Sequence, residues 1–246
     1  MRLAWERLGE GPPLLLIQGL GYARWGWEPV LEPLARSFEV ILFDNRGIGG
    51  SDAPPGPYTT SELAADAVQV LDEAGVGRAH VLGTSLGGMV AQELALSHPE
   101  RVEKLVLACT TPGGSDAFPM PEQTVALMTN GATLREFVGN ALAPPPDERL
   151  VEAILVHRER TAQPLEAWSA QAAAGAGFDA FERLPAIAAP TLVVHGTEDV
   201  VVDPRNAPLL ASRIPDARVE LVAGGGHLFF WEQPERFVEL VTEFLS

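Results

Sequence analysis

Ser85 stands in the middle of Gly83-Thr84-Ser85-Leu86-Gly87-Gly88. Before it, Val81 and Leu82 read as the end of a buried strand. After it, Met89, Val90, Leu94 and Ala95 follow a helical pattern. A strand that turns abruptly into a helix at G-x-S-x-G is a nucleophile elbow. The turn lifts the serine side chain out of a strained backbone, and small flanking residues leave room for the crossing chain. The amides that open the helix point to where an anion forms. The chemistry this predicts is attack by a hydroxyl on a carbonyl carbon.

A serine hydroxyl is a weak nucleophile at neutral pH. It needs a base to take its proton and a third group to hold that base in one tautomer. Of the five histidines, His80 precedes its strand, His98 lies beside Pro99 at a helix end, and His157 falls in a helical stretch. His195 lies at a strand end, where a structural hydrogen bond is the expected role. His227 alone sits in a glycine-rich loop after the last strand, Gly224-Gly225-Gly226-His227, whose backbone can bend to aim the ring at Ser85. The acid belongs between nucleophile and base in chain order. Asp199, just past the strand at 191–194, is preferred to Asp203, which helix capping explains, and to the adjacent Glu198. The oxyanion donors expected are the backbone N–H of Leu86, after the nucleophile, and of Leu20, in the loop that closes the strand at 14–17.

These residues need a frame. Apolar runs at 14–17, 40–43, 81–82, 105–109, 191–194 and 219–222 alternate with helical patterns at 27–36, 63–71 (ended by Gly75), from Met89 to near His98, 204–211 and 234–245, and residues 3–8 read as an edge strand. Buried strands alternating with helices mean an α/β fold, a parallel sheet covered on both faces, with ligands beyond the carboxyl ends of the strands. The rhythm breaks between 112 and 189, where helical patterns at 124–129, 134–142, 147–160 and 165–174 are separated by proline and glycine breaks, among them Pro144-Pro145-Pro146 and Gly175-Ala176-Gly177. So long a stretch exceeds one crossover. It is read as a helical cap over the active end, which leaves 1–111 and 190–246 as the core.

The net charge of −16 disfavours nucleic acid and anionic membrane surfaces as partners. A single cysteine, Cys109, cannot form an internal disulfide and reads as a small buried residue. Neither a signal-peptide pattern nor a membrane-spanning run is present in these 246 residues, so a cytoplasmic setting is expected.

Gln18-Gly19-Leu20-Gly21, Asp44-x-Arg46-Gly47-x-Gly49-x-Ser51, the elbow, His98-Pro99-x-Arg101-Val102, Gly196-x-x-Asp199 and Gly226-His227 with Glu232 and Pro234 behind resemble the α/β-hydrolase superfamily over nearly the whole chain. Within it the chain is similar to bacterial carboxylesterases and 3-oxoadipate enol-lactonase-like hydrolases. The resemblance implies an eight-stranded, mostly parallel sheet, a helical cap after the sixth strand and no cofactor or metal. Gln18 stands where the family often has histidine. Serine at the elbow, where relatives that open epoxides or remove halide carry aspartate, argues against both activities.

The expected reaction is hydrolysis of a small to medium carboxylic ester or lactone through an acyl-enzyme, by a monomer or homodimer. Carbon–carbon bond hydrolysis of a vinylogous diketone and slow-turnover reception of a small molecule are the alternatives. Trp25, Phe137, Arg158, Trp168 and Leu228 are the candidate substrate contacts. Arg158 follows Leu150 and Ile154 on the apolar face of its helix, where a guanidinium can hold a substrate carboxylate. Otherwise its stem lies on the surface, with its head in water or paired with Glu159 or Glu182. Arg135 is a weaker candidate for the same role.

Overall fold

The structure, a computed structural model, describes residues 1–246. Its strands are β1 (Trp5–Leu8), β2 (Pro13–Ile17), β3 (Glu39–Phe43), β4 (Ala79–Thr84), β5 (Val102–Ala108), β6 (Thr191–Gly196) and β7 (Ala217–Val222). They form one sheet in the order β1-β3-β2-β4-β5-β6-β7, with β1 antiparallel to β3 and all other pairs parallel. Seven strands therefore replace the eight expected, and the insertion follows the fifth. The first four residues do not pair as a strand. Instead they hold the 44–52 loop: Asp44 N–H donates to Ala4 O (2.9 Å), and Asp52 N–H to Arg2 O (3.0 Å).

The strands are apolar on both faces, and alternate residues feed two cores. Leu15, Ile17, Ile41, Phe43, Val81, Leu105 and Leu107 point to one face. There they meet α2 (Thr60–Glu73), α3 (Leu86–Ser97) and α8 (Asn206–Arg213). Leu14, Leu16, Val40, Leu42, Leu82 and Val106 point to the other, against α1 (Glu28–Ala35) and α10 (Pro234–Leu245). Thr59 begins α2 with a capping box, accepting from Glu62 N–H while the Glu62 carboxylate takes the Thr59 N–H. No helix is long and apolar enough to cross a membrane.

Between β5 and β6 lie α4 (Glu122–Thr129), α5 (Leu134–Asn140), α6 (Glu148–Arg160) and α7 (Leu165–Ala176). Their polar contacts reach loops at the carboxyl edge of the sheet. Thr124 Oγ1 donates to Val200 O (2.5 Å), Gln171 Nε2 to Arg46 O (2.7 Å) and Leu228 N–H to Ala141 O (2.8 Å). Short α9 (Phe229–Glu232) completes the fold behind His227.

Candidate active site

Strand β4 delivers Ser85 at φ 54°, ψ −120°, a left-handed backbone that an L-residue adopts only under constraint. The constraint is close packing. A Cβ on Gly83 would strike the carbonyl of Gly87, and one on Gly87 would strike that of Ile17. Helix α3 can therefore lie directly against β4 and β2. Ser85 N–H donates to Ala108 O (2.9 Å), and Thr110 Oγ1 donates to Ser85 O (2.8 Å), which pins the strained residue from both sides. Every residue from 79 to 88 is buried except Ser85.

Asp199 follows β6 and is buried. Its Oδ1 accepts the N–H groups of Val201 (2.8 Å) and Val202 (2.9 Å). Its Oδ2 lies 2.8 Å from His227 Nδ1 and 2.9 Å from His195 Nε2. Burial opposes ionisation of this carboxyl. The charge of His227 and the hydrogen bonds from both imidazoles outweigh it and hold the group well below the usual carboxylate range.

With Nδ1 given to Asp199, Nε2 is the free nitrogen of His227. Glu232 holds the loop that carries this ring. Its two oxygens accept Gly226 N–H and Ala143 N–H, each at 2.7 Å. The structure thus joins Asp199 to His227, while Ser85 Oγ makes no hydrogen bond to the ring. Strand β5 separates the strands bearing Ser85 and Asp199, so their ends stand ~10 Å apart, a gap that one imidazole between two hydrogen bonds largely fills. Cys109 ends β5 between them at φ 44°. Burial, followed by the Asp199 charge, pushes its thiol well up, as suits a packing residue.

The loop after β2 closes over the elbow. A side chain on Gly19 would sit 3.0 Å from Ser85 Cβ and 3.7 Å from Ser85 Oγ. Gly19 N–H donates to Gln18 Oε1 (3.0 Å) and Gly21 N–H to Gln171 Oε1 (3.4 Å). The Leu20 amide between them has no acceptor, nor does Leu86 N–H at the start of α3. Two unpaired amides flanking a serine match what an oxyanion site requires. Gln18 Oε1 also accepts from Thr84 Oγ1 (3.1 Å), so this glutamine braces the loop against β4.

Residues 12–234 match the alpha/beta hydrolase fold family. The chain belongs to that family. A relative from Azorhizobium caulinodans, provisionally named a carbamate hydrolase, is 34% identical over 98% of this chain and 94% of its own. A pimeloyl-[acyl-carrier protein] methyl ester esterase of Aeromonas hydrophila is 31% identical over the full length of both. Among solved structures, an enol-lactonase from Burkholderia xenovorans LB400 superimposes with a TM-score of 0.87 at 28% identity, covering 99% of this chain and 96% of that one. The polar residues gather where the strands end, the place at which open α/β sheets hold ligands.

The remaining candidates of this hydrolase are spread more widely. Trp25 stacks on His157 (4.9 Å between rings), meets Trp231 edge-on (6.2 Å) and donates its indole N–H to Thr161 Oγ1 (2.8 Å). It ties the loop after β2 to α6, and it also borders an open groove with Glu6, Arg24, Glu28 and Arg36. Leu228 is buried in the core with Val138, Leu142 and Trp231. Phe137 on α5 and Trp168 on α7 are half-buried. Arg135 is exposed and paired with Glu148 and Glu152, which makes it a surface ion pair and not a substrate contact. Arg158 pairs with neither Glu159 nor Glu182; its Nη1 donates to Gly21 O.

Sequence reasoning missed Gln171 and the clamping role of Glu232. A buried glutamine among Ala167, Ala170 and Ala174 on the inner face of α7 was the signal for the first. For the second, nothing in the spacing names a partner as distant as Ala143.

Proposed function

We propose that this protein hydrolyses a carboxylic ester or lactone with Ser85 as nucleophile, His227 as base and Asp199 as the residue that orients it. The observation that carries this reading is the 2.8 Å contact of His227 Nδ1 with a buried, ionised Asp199, which leaves Nε2 unprotonated in the neutral ring. His227 Nε2 takes the Ser85 proton as Oγ bonds to the carbonyl carbon. The Leu20 and Leu86 amides hold the oxyanion. The carbon–oxygen bond then breaks, and His227 returns its proton to the leaving oxygen. Water, deprotonated by His227, attacks the acyl-enzyme and releases the acid and Ser85. In this reading residues 112–189 form a cap that excludes bulk water from a small-molecule substrate.

The test is turnover of 4-nitrophenyl butyrate by Ser85→Ala, with mass spectrometry of the wild type quenched early. The expected results are a loss of about 10⁴-fold or more and a transient butyryl adduct on Ser85. Retention of most of the rate by Ser85→Ala would overturn the proposal.

A further inference from the structure

Arg158 stands apart from the other arginines. Each of the others either has a carboxylate within 4.0 Å or lies exposed. Arg158 is half-buried and meets no carboxylate, although the chain carries 33 acidic residues. Its Nη1 donates to the Gly21 carbonyl, and its guanidinium carbon lies 5.3 Å from the centre of the Tyr22 ring. Both partners are neutral. Burial lowers the guanidinium below its ordinary pKa and raises the Tyr22 phenol to about 12, so neither supplies a counter-charge. A guanidinium has five N–H donors, and the protein uses one here. A partly desolvated, uncompensated charge is costly, and an incoming anion relieves that cost.

The place of this charge gives the anion a meaning. Gly21 is two residues past Gly19, which abuts Ser85, and the free Leu20 amide lies between them. The guanidinium and Ser85 thus contact the same short loop, at glycines at most ~7 Å apart along the chain. It is on the β2 side of Ser85, whereas His227 approaches from the β6 side. In the proposed reaction the leaving oxygen departs toward His227, so the acyl chain runs the other way. Resting on that reaction, the geometry points to Arg158 as the receptor for a carboxylate at the far end of the acyl group. The preferred substrates are half-esters of short dicarboxylic acids.

The experiment compares 4-nitrophenyl hydrogen glutarate with 4-nitrophenyl butyrate on the wild type, Arg158→Gln and Arg158→Lys. The quantity read is the ratio of kcat/KM for the charged ester to that for the neutral one. The wild-type ratio is expected to exceed ten, to fall at least tenfold in Arg158→Gln and to recover partly in Arg158→Lys. Glutarate and butyrate are also titrated into Ser85→Ala by calorimetry, with and without Arg158→Gln. Glutarate should bind more tightly, and the advantage should vanish in the double variant. A wild type without preference, or a preference that survives Arg158→Gln in both measurements, overturns the inference. Arg158-dependent glutarate binding in a protein that turns over no ester would instead overturn the assigned reaction and leave the anion site standing.

Discussion

His195 Nε2 lies 2.9 Å from Asp199 Oδ2, the same oxygen that His227 uses. It also lies 3.1 Å from the Val202 carbonyl. Two acceptors around one nitrogen mean that Nε2 carries the proton. Nδ1 is then the bare nitrogen, and it is buried without a partner. His195 Nε2–H is thus a donor that keeps Asp199 in place behind His227.

His195→Phe removes that donor while keeping a ring. Stability is expected to fall by about 2 kcal/mol, the worth of a hydrogen bond to a charged group, read as a lower urea midpoint at unchanged m. With its carboxylate less firmly held, Asp199 orients His227 less well, so kcat should fall too. A fall in stability with an unchanged kcat would reduce His195 to a packing role.

The depressed pKa of Asp199 fixes a sign for stability against pH. Its folded value lies below the unfolded one, so the folded state binds this proton more weakly. The stabilisation is fully present above the unfolded value of about 3.9 and is lost as pH falls below it toward the folded value. The gap in melting temperature between the wild type and Asp199→Asn, followed from pH 6 to pH 2.5, should therefore hold steady above about pH 4 and narrow below it. Asp199→Asn should also lower kcat by about 10⁴-fold through the wrong His227 tautomer. A constant gap between the two melting curves would contradict the first expectation.

The site was more legible in the sequence than its supports. Ser85, Asp199 and His227 stand out because an elbow needs glycines at fixed local spacing and because the three follow one chain order. The Leu20 amide could be located because it follows a glycine at a strand end. Gln171 could not, because its partners, Gly21 N–H and Arg46 O, are backbone groups far away in the chain. The role of His195 was hidden for a related reason. A strand-end histidine announces a hydrogen bond but not that its acceptor is the candidate catalytic acid. The runs legible in the sequence number seven, as in the sheet; the eighth strand was implied only by the family resemblance, and the edge strand starts at Trp5 because the residues before it bind a loop.

Gly19→Ala separates packing from catalysis. The new methyl group would meet Ser85 Cβ at 3.0 Å, with Ser85 Oγ 3.7 Å away. Gly19 has ordinary negative φ, so the backbone itself accepts alanine. The strain falls on the loop and the nucleophile. A displacement of a few tenths of an ångström moves the hydroxyl and the Leu20 amide out of register. The expected loss in kcat/KM is about 10²-fold, with a stability change of about 1–2 kcal/mol. Unchanged kcat/KM would mean that the loop is not part of the oxyanion site.

Glu232→Gln tests whether the His227 loop is held from outside the proposed triad. Two backbone N–H groups, from Gly226 and Ala143, each donate to a different Glu232 oxygen at 2.7 Å. An amide offers only one acceptor oxygen, so one donor must face an NH2 group. The pair of charge-assisted bonds becomes one neutral bond and one repulsive contact. Stability should fall by about 2–3 kcal/mol in urea titration. Because Gly226 precedes His227 and Ala143 belongs to the insertion, the loss should also appear as faster amide exchange at both. kcat should drop, since the ring is then aimed less often at Ser85, while a pre-equilibrium of loop positions leaves KM nearly unchanged. If kcat survives the substitution intact, the loop is positioned without Glu232, by Leu228 N–H on Ala141 O, Glu198 N–H on Gly225 O and the Asp199 contact.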